Sequence, residues 1–217
     1  MASPKLTPNP VWSFRHDGSV MDLSRPRASE IDLRLVAGRL SRIARFNGVP
    51  EGMAYSVAQH SVLGARAIEA ERKDSFLASL FLFHDAHEAL LGDVPTPVTK
   101  LMDAMIPGFR AALDRVKAAW DEPIYDAFGL PAPARWNALQ KNVVTSMDAR
   151  MCAFEARALM GDRTASQFPR VSPPRVSDFR PWPAVKAEME FIEMAERLIG
   201  EPQLAAARRS AREREDS

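Results

Sequence analysis

Residues 81–97 read FLFHDAHEALLGDVPTP. An apolar run this dense belongs in a core, yet it carries His84, Asp85, His87, Glu88 and Asp93 almost side by side. Burying a charge without a partner is costly, so the cluster must either face water or hold something that offsets its desolvation. Apolar spacing extends the run back to Ser75, with Asp74 placed to cap the first turn and Gly92 to end the last. The pattern predicts a helix over 75–91, on which His84 and Glu88 share a face and Asp85 lies about 100° around from His84. Pro95 and Pro97 each fix φ and remove a backbone donor, so GDVPTPV is predicted to be a stiff, non-helical connection.

Helical periodicity dominates the rest of the chain. In ASEIDLRLVAGRLSRIARF it predicts a helix that starts near Ser29 as N-cap and stops at Asn47-Gly48. Ser56 and Gln59 have the spacing of a capping box and would put His60 in the first turn of the next helix. Further helices are predicted near 109–128, 134–160 and 183–199, separated by GLPAPA and the proline-bearing FPRVSPPRVSDFRPWP. Before all of these, the Asp17-Gly18 pair between two short apolar runs predicts a small hairpin with a two-residue turn. His16 beside it reads as an exposed loop residue. The expected class is all-α with a small N-terminal β-hairpin: a loose arm over 1–10, one domain over 11–200 and a fraying charged tail over 201–217.

Composition narrows the function. Of 217 residues, 46% are apolar and 26% charged, which excludes disordered and membrane classes. Lys and Arg total 29 against 28 Asp and Glu, so no global field draws in a nucleic-acid polymer or an anionic membrane, and any anion needs a local site. MASPKLTPNP lacks the apolar stretch of a signal peptide and no run of about 18 apolar residues exists, so the expected location is cytoplasmic. A single cysteine, Cys152, excludes an internal disulfide and CxxC sites, and it reads as an inert core thiol. Any metal must therefore be bound by His and carboxylates.

His84 and Asp85 can offer one nitrogen and one oxygen to a metal, but two ligands bind weakly unless others arrive from elsewhere. His60 is a candidate because the chain has only four histidines, and Asp148 because it interrupts the apolar stripe of NVVTSMDARMCAF. The zinc-protease pattern H-E-x-x-H is excluded by Leu91, which leaves His87 as a residue of the second shell or pocket wall.

The order His60, His84-Asp85, Asp148 resembles the H…HD…D pattern of the HD-domain metal-dependent phosphohydrolases. RFNG, YSVAQHS, HDAHEALLGDVPTPV and MDARMCAFEA are similar to segments of the bacterial 5′-deoxynucleotidase branch, covering residues 29–160. The resemblance implies an all-α HD-domain bundle with one divalent metal on His60, His84, Asp85 and Asp148. Two imidazoles and two carboxylates suit Mn, Co, Fe or Zn better than Ca, with Mg also admissible. It implies Glu88 and Asp93 as catalytic acids, and Arg45, Phe46 and Lys100 as substrate contacts. Relatives often have Trp at the position of Phe46, and their Lys directly follows TPV, whereas here Thr99 intervenes. The implied activity is hydrolysis of (deoxy)ribonucleoside 5′-monophosphates to nucleoside and phosphate. The alternatives on this scaffold are a dNTP triphosphohydrolase, for which Arg39, Arg42, Arg45 and Lys100 would supply basic groups, and a nucleotide sensor without turnover. A homodimer is the assembly the resemblance implies.

Overall fold

The computed structural model describes residues 5–216, so the first part of the expected arm and the last residue of the expected tail lie outside the described residues. Residues 5–10 are irregular and almost wholly exposed, though the Leu6 N–H donates to the Ser24 carbonyl at 2.7 Å. β1 (Trp12–Phe14) and β2 (Val20–Asp22) pair antiparallel with Phe14 opposite Val20. Their turn is longer than the two residues predicted. The Arg15 N–H donates to the Ser19 carbonyl, Gly18 alone takes the left-handed conformation, and the Asp17 carboxylate accepts from Ser19. His16 is exposed in that turn, as expected.

The remainder is helical. α1 (Leu33–Leu40) is shorter at both ends than the periodicity predicted. Ser29 lies in a 3-10 turn, and Asp32 is the N-cap, accepting from the Leu35 N–H at 2.8 Å. The far end breaks because Ala44 pairs with Ser56 as an isolated bridge: the Arg45 N–H donates to Tyr55 O at 2.8 Å and the Val57 N–H to Ile43 O at 3.0 Å. Phe46 and Asn47 follow with positive φ, at 53° and 54°.

α2 (Val57–Arg72) starts at the expected cap, with Ser56 accepting from the Gln59 N–H at 3.2 Å. The reciprocal half of the box is absent. The Gln59 side chain instead donates to Arg180 O and accepts from the Trp182 N–H, both at 2.8 Å, clamping the proline-rich segment onto α2. α3 (Ser75–Leu82) is capped by Asp74 as predicted. It ends nine residues early, by the count from Leu82 to Leu91, and resumes only as α4 (Glu88–Leu91), which Gly92 stops. α5 (Thr96–Met105) corrects the non-helical reading of GDVPTPV. Pro97 sits in the first turn, where its missing N–H would have had no partner.

α6 (Phe109–Ala127), α7 (Ala138–Met160, with a complete Asn137–Gln140 capping box) and α9 (Ala184–Ile199) follow the expected order, and a short α8 (Asp162–Ala165) that was not predicted lies between the last two. α10 (Glu201–Asp216) corrects the fraying tail: Gly200 at φ +92° turns the chain, and partly buried Leu204 packs on the core. That core joins α1, α2, α3, α6, α7 and α9 around Tyr55, Phe81, Phe83, Trp120, Tyr125 and Phe191. α2 and α3 approach closely because Gly64 faces the Phe81 ring with no Cβ between them. No helix is long and apolar enough to cross a membrane among the described residues.

Candidate metal centre

Between α3 and α4 the chain turns more tightly than an α-helix. His84 N–H bonds to Phe81 O, Ala86 N–H to Phe83 O and Glu88 N–H to Asp85 O, each three residues back. The His84 side chain helps to cause this, because its Nδ1 also lies 2.7 Å from Phe81 O. A side chain that takes a nearby carbonyl competes with helix continuation. The tightening brings His84 Nε2 to 3.2 Å from Asp85 Oδ2, a closeness that the regular-helix expectation of about 100° between them did not foresee.

His60, fully buried in the first turn of α2, meets this pair. Its Nε2 is 3.4 Å from His84 Nε2, 3.9 Å from Asp85 Oδ2 and 3.3 Å from Asp148 Oδ1. Asp148, on α7, is also 3.7 Å from His84 Nε2, with its side chain 45% exposed at the rim. Donors about 2.1 Å from a common ion stand about 3.4 Å apart in a tetrahedron and about 3.0 Å apart along an octahedral edge. His60 Nε2, His84 Nε2 and Asp85 Oδ2 stand near that spacing, all within 4.8 Å of one another, and Asp148 Oδ1 approaches them from the side of the two imidazoles.

Both imidazoles are held so that Nε2 faces the shared point. His84 Nδ1 is engaged by a carbonyl, and His60 Nδ1 is 2.6 Å from Glu155 Oε1. A ring whose Nδ1–H is donated to an acceptor presents its Nε2 lone pair, the arrangement that suits a metal ligand. Two lone pairs and two carboxylates around one point require a positive charge there, which a divalent cation or a proton can supply. Burial works against a charged His84, but Asp85 and Asp148 outweigh it and raise its pKa well above the usual value. For Asp148, desolvation is outweighed by hydrogen bonds from both histidines, which hold it well below the usual carboxylate range. Asp85 is likewise lowered: burial opposes its charge and His84 more than compensates.

Sequence reasoning did not pick out Glu155. It is fully buried on α7, seven residues after Asp148 and so near the same face. Besides His60 it receives the Tyr55 hydroxyl at 2.7 Å and Arg45 Nε at 3.1 Å. Burial would raise its pKa, yet His60 and Arg45 lower it, so it stays charged. Arg45 Nη1 also lies 3.5 Å from Asp85 Oδ2, and its Cζ is 5.5 Å from the Phe46 ring centre. The backbone bridge to Tyr55 is what delivers Arg45 here. Bidentate pairing of Arg150 with Glu71, at 2.7 Å, ties α7 to α2 and fixes Asp148 opposite His60.

Glu88 meets the cluster through Asp85, and Asp93 stands beside it. Glu88 is pushed up to about 9 by burial and by the charges of Asp85 and Asp93. Asp93 is raised by burial, with Arg45 opposing and Asp85 adding to the shift. His87 is more than a wall. Its Nδ1 is 2.9 Å from Asp121 Oδ1 of α6, and its Nε2, like Glu88 Oε2, is buried without a hydrogen-bond partner among the described residues. His87, Glu88 and Asp85 bring their polar atoms within 4.8 Å of one another. Cys152 keeps its proton, burial lifting its thiol to about 11. Lys100 is the site candidate the fold does not gather in: it is exposed on α5, and no hydrogen bond or ion pair ties it to the cluster among the described residues.

No family model matches the chain. An uncharacterized protein of Rhodobacter capsulatus is 35% identical over 156 residues, which are 70% of this chain and 74% of that protein. The uncharacterized protein YfdR of Escherichia coli is 33% identical over 130 residues, covering 60% of this chain and 62% of YfdR.

Proposed function

This chain belongs to one family with the Rhodobacter capsulatus protein, and we propose that it is a metal-dependent phosphohydrolase of HD-domain fold that hydrolyses (deoxy)ribonucleoside 5′-monophosphates. One observation carries the reading: His60 Nε2, His84 Nε2 and Asp85 Oδ2 gather within 3.9 Å of one another, Asp148 Oδ1 lies 3.3 and 3.7 Å from the two imidazoles, and both Nδ1 atoms are held by acceptors. That donor set fits Mn, Co, Fe or Zn, with Mg admissible. A divalent ion held there supplies charge to a phosphate oxygen and acidifies water.

The chain's own groups handle the protons. His87 Nε2 and Glu88 Oε2, two buried polar atoms without partners among the described residues, suit one water that donates to both once Glu88 is ionised. Glu88 is raised by burial and by the charge of Asp85, so neutralising Asp85 brings it back toward the range in which it accepts the water's proton. As the water oxygen bonds to phosphorus, the bond from phosphorus to the 5′ oxygen breaks. Asp93, raised and so better able to carry a proton, gives it to that leaving oxygen. We assign to Phe46, whose ring centre lies 5.5 Å from Arg45 Cζ, the role of packing against the sugar.

Three of the four basic groups that a triphosphate would use are engaged elsewhere, which supports a monophosphate. Arg39 is spent on the carbonyls of Ala89 and Phe14, Arg42 on Glu188, and Arg45 on Glu155 and Asp85. A homodimer remains the expected assembly. The test is a metal-by-nucleotide screen that identifies the product directly. Phosphate release from 5′-monophosphates is expected, and Glu88→Gln should cut turnover by about 100-fold or more with metal content unchanged. Tripolyphosphate from dATP, tight nucleotide binding without turnover, or full activity in Glu88→Gln would each overturn this assignment.

A further inference from the structure

A phosphate dianion needs a cation that is not already neutralised. Arg45 is deep in the site, but its guanidinium is shared between Glu155 and Asp85. Lys100 is exposed and, among the described residues, tied to none of the cluster. α6 offers another. The hydrogen bond between Asp121 and His87 fixes one face of α6 against the turn that carries Glu88. Lys117 lies four residues, one helical turn, before Asp121 and therefore on the same face. It is half-buried, and no hydrogen bond or ion pair holds its ammonium among the described residues. Its charge is felt by both Glu88 and Asp93, whose carboxyls it draws downward against their burial. A half-buried lysine one turn from Asp121, on the face of α6 that meets His87, and held by no partner among the described residues, keeps its charge available beside Glu88.

We propose that Lys117 is the substrate-binding cation of this site, holding the outer oxygens of a single terminal phosphoryl group from the α6 side. This rests on the phosphohydrolase reading above and deepens it. One flexible ammonium with three donors matches a monoester dianion as a point charge. Three consecutive phosphates would require further free cations, and the arginines considered for that role are engaged elsewhere.

Two measurements on the full chain test the proposal independently. Calorimetric titration of inorganic phosphate into Mn²⁺-loaded protein should show binding that Lys117→Met weakens by about tenfold or more and Lys117→Arg restores to within about threefold. In steady state with a nucleoside 5′-monophosphate, Lys117→Met should raise KM by about the same factor, with a smaller change in kcat. Phosphate affinity and KM within about twofold of wild type in a folded Lys117→Met protein would sink the proposal while leaving the hydrolase reading intact. Wild-type protein that binds phosphate through Lys117 but hydrolyses no monophosphate would sink the hydrolase reading and leave this one standing. Wild-type protein that binds no phosphate overturns the assignment of Lys117 outright.

Discussion

At the residue scale, Glu155 explains why the cluster is ordered. Its carboxylate is shared by His60, Tyr55 and Arg45, so one buried charge fixes a proposed metal ligand and the guanidinium beside it. Carboxylates behind metal-binding histidines typically contribute 10- to 100-fold in affinity. Glu155→Gln is therefore expected to weaken Mn²⁺ binding by about that factor, read by calorimetry; unchanged affinity would remove its positioning role. Glu88 gives a separate, pH-dependent signature in metal-free protein. The unfolded chain titrates it near 4.5, and the fold raises it to about 9. Between those values the folded state keeps a proton that the unfolded state has released. The stability this contributes is complete below the lower value and is lost as pH rises through the upper one. His84 and Asp93 are raised and act in the same direction, whereas the lowered Asp148 and Glu155 act only under more acidic conditions. Thermal melts of chelator-treated protein should fall from about pH 5 to about pH 9, and Glu88→Gln should flatten much of that decline. A flat wild-type profile would contradict the burial of Glu88.

At the scale of elements, the meeting of α2 with α3 sets the distance between His60 and His84. Gly64 permits it, since an added Cβ would collide with the Phe81 ring, itself stacked on His84 at 4.2 Å between centres. Gly64→Ala should cost about 1–3 kcal/mol as overpacking and weaken metal binding by displacing Phe81 and His84 together. Scanning calorimetry with a metal titration checks both; loss of stability with unaltered metal affinity would show that the two helices do not transmit the strain. Much of this element pattern was legible in the sequence, because Asp74, Ser56 and Gly92 signal ends through local backbone chemistry. The break at 83–87 was not. No Gly or Pro marks it, and its cause is the His84 ring taking the Phe81 carbonyl. The shortening of α1 likewise depends on a bridge to Ser56, a distant partner that periodicity cannot see. His84, Asp85 and Asp148 stood out as polar residues in apolar stripes, and His60 as one of only four histidines. Glu155 stood in MDARMCAFEA with the same signal, two turns from Asp148, whereas Lys117 and Asp121 gain meaning only once α6 is packed.

At the scale of the whole molecule, the cluster joins the Arg45 loop, α2, the turn before α4 and α7, so whatever occupies it cross-links segments distant in sequence. Asp85 and Asp148 repel each other across the cluster, while Arg45 pairs with both Asp85 and Glu155. A ligand that binds only the folded state adds about 2.7 kcal/mol at a free concentration about 100-fold above its Kd. For a chain of this length that is roughly 5–10 °C in Tm. Chelation should therefore lower the melting temperature and added Mn²⁺ restore it. The same cluster fixes the direction of the pH effect on metal uptake. Asp85 and Asp148 raise the pKa of His84, so near neutral pH its Nε2 carries a proton that a metal must displace. Lowering the pH strengthens the competing proton, and apparent Mn²⁺ affinity should fall from about pH 8 to about pH 6, with proton release on binding. Calorimetry in two buffers of different ionisation enthalpy measures that release directly. Affinity independent of pH over this range, with no proton released, would mean that the metal does not enter through His84 Nε2.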